Sequence, residues 1–231
     1  MITLAFDLYG TLLDTSSIST VLSLHLPASS VSLSPSITAL WRQLQLEYTF
    51  RLTSSSRYLP FPEVTRLSLL DALARHGCSL TPESQATVMA AYSQLTPFPD
   101  VSAMLARFEE LKQQGGEEVR RLVFSNGAPE QLERTIRGTE EIRDWHYVSV
   151  HETGKYKPAG EVYGWLCEQV GRGKEDVVLV SGNPFDVVGA EMAGVRACWV
   201  DRAGKGWTDG LGRPTWIISS LEDLGELVGR M

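Results

Sequence analysis

Asp7 stands at the end of an apolar run, Ile2 to Phe6, and is followed by Tyr9, Gly10 and Thr11. Side chains that are apolar on both alternating faces belong to a parallel strand covered on either side. A carboxylate where such a strand stops costs roughly several kcal/mol to desolvate unless it is paired, hydrogen-bonded or used. Two roles are open to it: capping the next helix, or attacking a substrate as an ionised nucleophile. Gly10 permits a sharp turn just beyond it, and Thr11 can return a hydroxyl toward that turn.

Three more polar clusters decide between these roles. Ser125-Asn126 closes the apolar run Arg121 to Phe124, and Ser181-Gly182-Asn183, with Asp186 just beyond, closes Val177 to Val180. Lys155-Tyr156-Lys157-Pro158 follows the run Tyr147 to Val150, with Tyr163 six residues past Lys157. In an open parallel sheet, ligands bind outside the carboxyl ends of the strands, so the four clusters are predicted to meet in one crevice. That convergence favours Asp7 as catalyst over Asp7 as cap. Lys155 or Lys157 can present an ammonium to the same place, a positive charge that would keep a buried Asp7 ionised.

The elements that must position these groups follow from periodicity. Ser34-Pro35 reads as an N-cap and first helical residue, and Ile37, Leu40, Trp41, Leu44 and Tyr48 continue at helical spacing to about Arg51. A second helix runs from Glu63 to His76-Gly77, and a third from Thr81-Pro82 to near Leu95. The serine-rich stretches at 15–36 and 53–56 read as loops. Beyond them a helix from Val101 to Gln114 ends at Gly115-Gly116. Further helices start at Gly160 and Phe185, Cys198 to Val200 is a short strand, and Leu221 to Val228 is a closing helix. The expected architecture is a doubly wound, mostly parallel α/β sheet, residues 1–14 and 96–231, with a helical cap, residues 15–95, inserted after the first strand.

The bulk properties exclude several function classes. A net charge of −7 over 231 residues leaves no basic stripe for nucleic acid or an anionic membrane surface. No apolar run approaches the roughly 18 residues of a membrane span, and the chain opens on a strand without a leader signature, so a cytoplasmic location is expected. Cys78, Cys167 and Cys198 are far apart and odd in number, as expected of reduced core thiols. His25, His76, His146 and His151 lack ligand spacing, and Asp14 reads as a helix cap.

Asp7-x-Tyr9-Gly10-Thr11, Ser125-Asn126-Gly127, Lys157-Pro158 with Tyr163, and Ser181-x-Asn183-x-x-Asp186 resemble the motifs of the haloacid dehalogenase-like superfamily. Leu40-Trp41-Arg42-Gln43-x-Gln45-Leu46-Glu47-Tyr48-Thr49 resembles the cap helix of its L-2-haloacid dehalogenase branch, which supplies an arginine to the site. The resemblance continues to Cys198-Trp199 and Ser220-Leu221. It departs at Gly182, Phe185 and His151, where serine, tryptophan and aspartate are frequent in the family.

The resemblance implies hydrolysis of short (S)-2-haloacids to (R)-2-hydroxyacids through an ester on Asp7, with inversion at C2, no metal or other cofactor, and a homodimer. It places Arg42 and Asn183 at the leaving halide with Phe185 alongside. Ser125, Asn126 and the backbone amides near Leu8 and Tyr9 would hold the substrate carboxylate, and Leu46 and Phe61 would line the pocket. Lys157, oriented by Tyr163, keeps Asp7 ionised; Thr11 positions Asp7 or satisfies its turn; Ser181 and Asp186 orient their neighbours. The Mg-dependent phosphatases of the superfamily carry an acidic residue where this chain has Tyr9, and usually carboxylates at the strand end where it has Asn183. A phosphatase of the same fold is the alternative, and a binding or regulatory protein without turnover the second.

Overall fold

The computed structural model of the protein describes residues 2–115 and 119–229; the expected stop at Gly116 lies outside them. After β1 (Thr3–Phe6) come four helices, α1 (Ile18–His25), α2 (Ser34–Ser54), α3 (Phe61–Arg75) and α4 (Pro82–Ala91). Strand and helix then alternate: α5 (Pro99–Gln113), β2 (Arg120–Ser125), α6 (Pro129–Gly138), β3 (His146–Ser149), α7 (Gly160–Val170), β4 (Val177–Ser181) and α8 (Pro184–Met192). β5 (Arg196–Val200), β6 (Trp216–Ile218) and α9 (Leu224–Val228) complete the described chain. Proline opens α2 to α6 and α8, in the first turn, where its missing amide breaks no helical bond.

The six strands form one parallel sheet in the order β3-β2-β1-β4-β5-β6. β1 lies between β2 and β4, with Phe6 beside both Val123 and Val180. Every residue of β1 and β4 is buried, as strands covered on both faces require. The chain moves outward from β1 through β2 to β3, then returns to the other side of β1 as β4. That reversal opens a crevice at the carboxyl ends of β1, β2 and β4.

The chain leaves β1 and comes back to α5 along paired passages. The amide of Asp14 donates to the Thr96 carbonyl at 2.8 Å, and that of Phe98 to the Leu12 carbonyl at 3.0 Å. Between these passages lie helices and turns and, among the described residues, no strand.

Several boundaries differ from expectation. Ile18–His25 is a helix rather than a serine loop, because Ile18 and Leu22 at i and i+4 are buried against its neighbours. Ser34 does not cap α2; its hydroxyl donates to the Ser19 carbonyl at 2.6 Å and ties α2 to α1. α4 stops at Ala91, which frees Tyr92 to pack on Trp41, with ring centroids 5.1 Å apart. Three-residue β6 is too short to be seen as a period. The closing helix begins as a 3-10 turn, Leu221–Asp223, capped by Ser220.

Gly189 on α8 sets how closely the neighbouring elements approach. A Cβ there would lie 2.5 Å from Pro158 Cβ and 2.6 Å from the Tyr163 hydroxyl. Gly189→Ala gains at most about 1 kcal/mol of helix propensity, against an overpacking cost of about 1–3 kcal/mol. The expected outcome is a net loss of stability, read as a lower urea midpoint with an unchanged slope.

Candidate active site

Asp7 extends the β1 ladder by one step, its amide donating to the Val180 carbonyl at 2.9 Å. The chain then doubles back: the amides of Leu12 and Leu13 donate to the Leu8 carbonyl at 3.0 and 2.9 Å, with Gly10 at φ +86°. This loop carries Thr11 back to Asp7, where its hydroxyl donates to Oδ2 at 2.9 Å while accepting from the Gly182 amide at 2.9 Å. Thr11 therefore satisfies the turn and positions the carboxylate together. Asn183, just ahead of α8, donates Nδ2 to the same Asp7 oxygen at 2.7 Å and to the Tyr9 carbonyl at 2.9 Å.

The other oxygen, Oδ1, accepts from Lys157 Nζ at 3.1 Å. The Lys157 side chain is 1% exposed, and its ammonium also donates to Asp186 Oδ2 at 2.9 Å and the Phe124 carbonyl at 2.7 Å. All three ammonium hydrogens are thus matched. The Lys157 amide donates to Asn126 Oδ1 at 3.0 Å, which fastens its loop to the end of β2. Lys155, by contrast, pairs with Glu161 at the surface and leaves the position to Lys157.

Asp186 is fully buried, and Tyr163 donates to its Oδ1 at 2.7 Å. Burial pushes the Asp186 carboxyl above the usual carboxylate range; the Lys157 ammonium pulls against it, the Asp7 charge adds to it, and the Tyr163 hydrogen bond lowers it again. Burial and the Asp186 charge hold the Tyr163 phenol well above its ordinary value, so it is a neutral donor.

Neither serine hydroxyl bonds to Asp7. Ser181 Oγ accepts from the Asn183 amide and Ser125 Oγ from the Gly127 amide, each at 3.1 Å, so each shapes the turn after its strand. The Leu8 side chain is buried in the core, but among the described residues the amides of Leu8 and Tyr9 find no acceptor.

Arg42 reaches the site from α2. It is half-buried, donating to the Tyr9 carbonyl at 3.1 Å and to Gln45 Oε1 at 2.8 Å. Tyr9 itself is buried against Phe61 and Tyr92, with ring centroids 5.7 and 5.6 Å away, and burial lifts its phenol far above the ordinary value. Leu46 and Phe185 are half-buried; Phe185 meets Phe50 of α2 edge-on at 5.4 Å.

The remaining expectations sort plainly. Asp14 caps a 3-10 turn, Thr15–Ser17, accepting from the Ser16 amide at 2.8 Å. Cys78, Cys167 and Cys198 are free thiols. His151 shares a 2.8 Å hydrogen bond with the Tyr58 hydroxyl, and His25 one of 3.1 Å with Ser84. Among the described residues no group of three His, Cys, Asp or Glu could hold a metal ion.

Two supporting residues go beyond the site candidates named from the sequence, though each carries a local signal. Buried Gln45 accepts from Arg42 and from the Tyr92 hydroxyl at 3.1 Å, and donates to Thr65 Oγ1 at 2.7 Å, fixing the guanidinium. Its signal was an amide three residues from Arg42 on a buried face. Arg202, two residues past β5, donates to the Thr11 carbonyl at 2.8 Å and forks onto Asp100 at 2.8 and 2.9 Å. The strand-end rule that found the other clusters would have found it too.

Comparison with known proteins agrees with this geometry. A family model described as haloacid dehalogenase-like hydrolase matches residues 2–194. The (S)-2-haloacid dehalogenase of Pseudomonas sp. (strain YL) is 32% identical over 226 residues, 97% of this chain and 93% of that one. The solved L-2-haloacid dehalogenase of Xanthobacter autotrophicus superposes with a TM-score of 0.86 at 28% identity, covering 100% of both chains. The structure of that enzyme with chloropropionic acid covalently bound gives 0.83 at 28% identity, again over 100% of both. A family model across most of the chain and relatives matching almost end to end make the chain a member of the haloacid dehalogenase-like hydrolases, in their L-2-haloacid dehalogenase branch.

Proposed function

We propose that this chain hydrolyses short (S)-2-haloacids to (R)-2-hydroxyacids through an ester on Asp7, with no metal ion taking part. The observation that carries the reading is the Lys157 ammonium held between Asp7 and Asp186. It supplies from the protein itself the positive charge that a buried nucleophilic carboxylate needs. The names of the relatives and the covalently bound chloropropionic acid in the Xanthobacter enzyme support the same chemistry.

Asp7 Oδ2 already accepts two hydrogen bonds and Oδ1 only one, so Oδ1 keeps the freer lone pair. It attacks C2 opposite the carbon–halogen bond; the Oδ1–C2 bond forms, the halide leaves with the bonding pair, and C2 inverts. Negative charge then moves from Asp7 to the halide. The Asn183 N–H that had bonded Asp7 follows that charge, with Arg42 beside it through their shared acceptor, the Tyr9 carbonyl. The amides of Leu8 and Tyr9, with Ser125 and Asn126, hold the substrate carboxylate. Water then adds to the carboxyl carbon of the ester; one of its protons leaves on the hydroxyl oxygen of the departing hydroxyacid, the other passes to solvent, and Asp7 is restored as a carboxylate.

We assign residues 15–95 as the cap over a core of residues 1–14 and 96–231. The paired passages at Asp14 and Thr96 support that division, as does the reach of Arg42 and Phe61 from the cap to Tyr9. Three free thiols fit a reducing cytoplasm, and likeness to this branch supports a homodimer.

The test is a single turnover of enzyme in excess over (S)-2-chloropropionate in heavy-oxygen water with EDTA. The hydroxyacid is expected unlabelled and Asp7 heavier by one labelled oxygen; label appearing in the product instead would refute the ester. Asp7→Asn is expected to lose activity by about 10⁴-fold or more, and Lys157→Met by roughly 10³-fold, measured as chloride release. Phosphate release from a generic ester with magnesium, and no chloride from either enantiomer, would favour the phosphatase.

The pH profile reports Asp186. Because its pKa is raised, the acid limb of kcat/KM is expected above the ordinary carboxylate value of about 4. Tyr163→Phe removes a donor that favours the ionised carboxylate, so the limb is expected to move further up in pH.

A further inference from the structure

We infer that a cleft beside the start of α2 is a port through which small monovalent anions pass between solvent and Arg42. The inference rests on the dehalogenase reading, which makes the substrate and both products such anions. The cleft encloses about 420 Å³ and is bounded by Ser16 and Ser19 on one side and by Thr38, Ala39 and Arg42 on the other. This volume accommodates a short haloacid or a halide with part of its water shell.

Two features make it more than a surface depression. Arg42 spends one N–H on Gln45 and one on the Tyr9 carbonyl. A guanidinium carries five, so beyond these two and its contact with the Tyr92 hydroxyl it keeps N–H groups to offer an anion. Thr38 precedes Arg42 by four residues and lines the same cleft, so the two side chains stand on one face of α2. Thr38 is 5% exposed, and its buried hydroxyl has no hydrogen-bond partner. A helical threonine ordinarily returns its hydroxyl to the preceding turn, as Thr65 does to the Phe61 carbonyl at 2.8 Å. Thr38 makes no such bond and is left as a desolvated donor beside a cation.

The charges around the cleft are suited to an anion. Arg42 contributes the positive charge; the nearby carboxylate, Asp14, accepts the Ser16 amide and hydroxyl on Oδ1 at 2.8 and 2.7 Å and is not among the residues lining the cleft. Ser19 shares a 3.1 Å hydrogen bond with Ser34. On its inner side Arg42 shares the Tyr9 carbonyl with Asn183, which bonds Asp7. An anion held at the guanidinium is therefore next to the position where the halide is released.

Thr38→Val removes the hydroxyl at constant shape, and Ala39→Leu narrows the mouth from an exposed position. Thermal unfolding checks that both variants are folded. Inhibition of turnover by added chloride, bromide and iodide, and kcat/KM for (S)-2-chloropropionate, are then compared with the parent. Thr38→Val is expected to weaken halide inhibition roughly five-fold, the equivalent of one hydrogen bond. Ala39→Leu is expected to act in order of ionic radius, iodide most, a grading that a merely structural role would not produce. A change in halide inhibition assigns the port to the product, and a change confined to kcat/KM assigns it to the haloacid. Neither parameter moving in either variant overturns the port while leaving the dehalogenase reading intact. If the parent releases no halide from any 2-haloacid, that reading fails instead. The port is then decided by chloride NMR line broadening without substrate: broadening reduced in Thr38→Val upholds it, and equal broadening in both proteins overturns it.

Discussion

A single ammonium group held away from water between two carboxylates is the constraint from which the rest of the site follows. Lys157 is 1% exposed, and Asp7 and Asp186 bond it at 3.1 and 2.9 Å. Burying ions costs roughly several kcal/mol each unless partners recover it, and here one positive charge answers two negative ones. The remainder is met by neutral donors: Thr11 and Asn183 on Asp7, Tyr163 on Asp186. A shift in β1, in the loop bearing Lys157, or in α8 would leave a charge unpaired. The three elements are therefore held in one arrangement by the cost of the alternatives.

The sheet order provides that arrangement. With β1 between β2 and β4, Asp7, the Phe124 carbonyl and the α8 start open onto one crevice. Gly189 lets Tyr163 and Pro158 close on α8, and Arg202 holds the Thr11 carbonyl from the end of β5. Each support acts on the backbone carrying a reacting group, which is how the carboxylate keeps a fixed aim.

The Tyr9 carbonyl joins the helical segment to the sheet. It accepts from Asn183 on one side and Arg42 on the other, so both halide donors assigned here meet at one backbone oxygen. Gln45 and Tyr92 fix the arginine, and Phe61 and Tyr92 flank the Tyr9 ring. This packing fixes the backbone that carries the shared oxygen, so the two donors are already in place when negative charge moves to the departing anion.

Local pattern was enough to place Asp7, to find the clusters at Ser125, Lys157 and Ser181–Asp186, and to set off 15–95 as helical. Burial on two faces, helical spacing and turn residues are written within a few positions of one another. Three-dimensional packing alone decided which donor meets which acceptor. Lys157 rather than Lys155 reaches Asp7 across 150 positions, and Arg202 reaches Thr11 across 191. Ser125 and Ser181 turned out to brace their own loops, and Ile18–His25 became a helix only because Ile18 and Leu22 had a surface to bury against. A hydrogen bond or ion pair depends on distances of a few ångströms between segments remote in sequence. No local period encodes those distances; the folded sheet does.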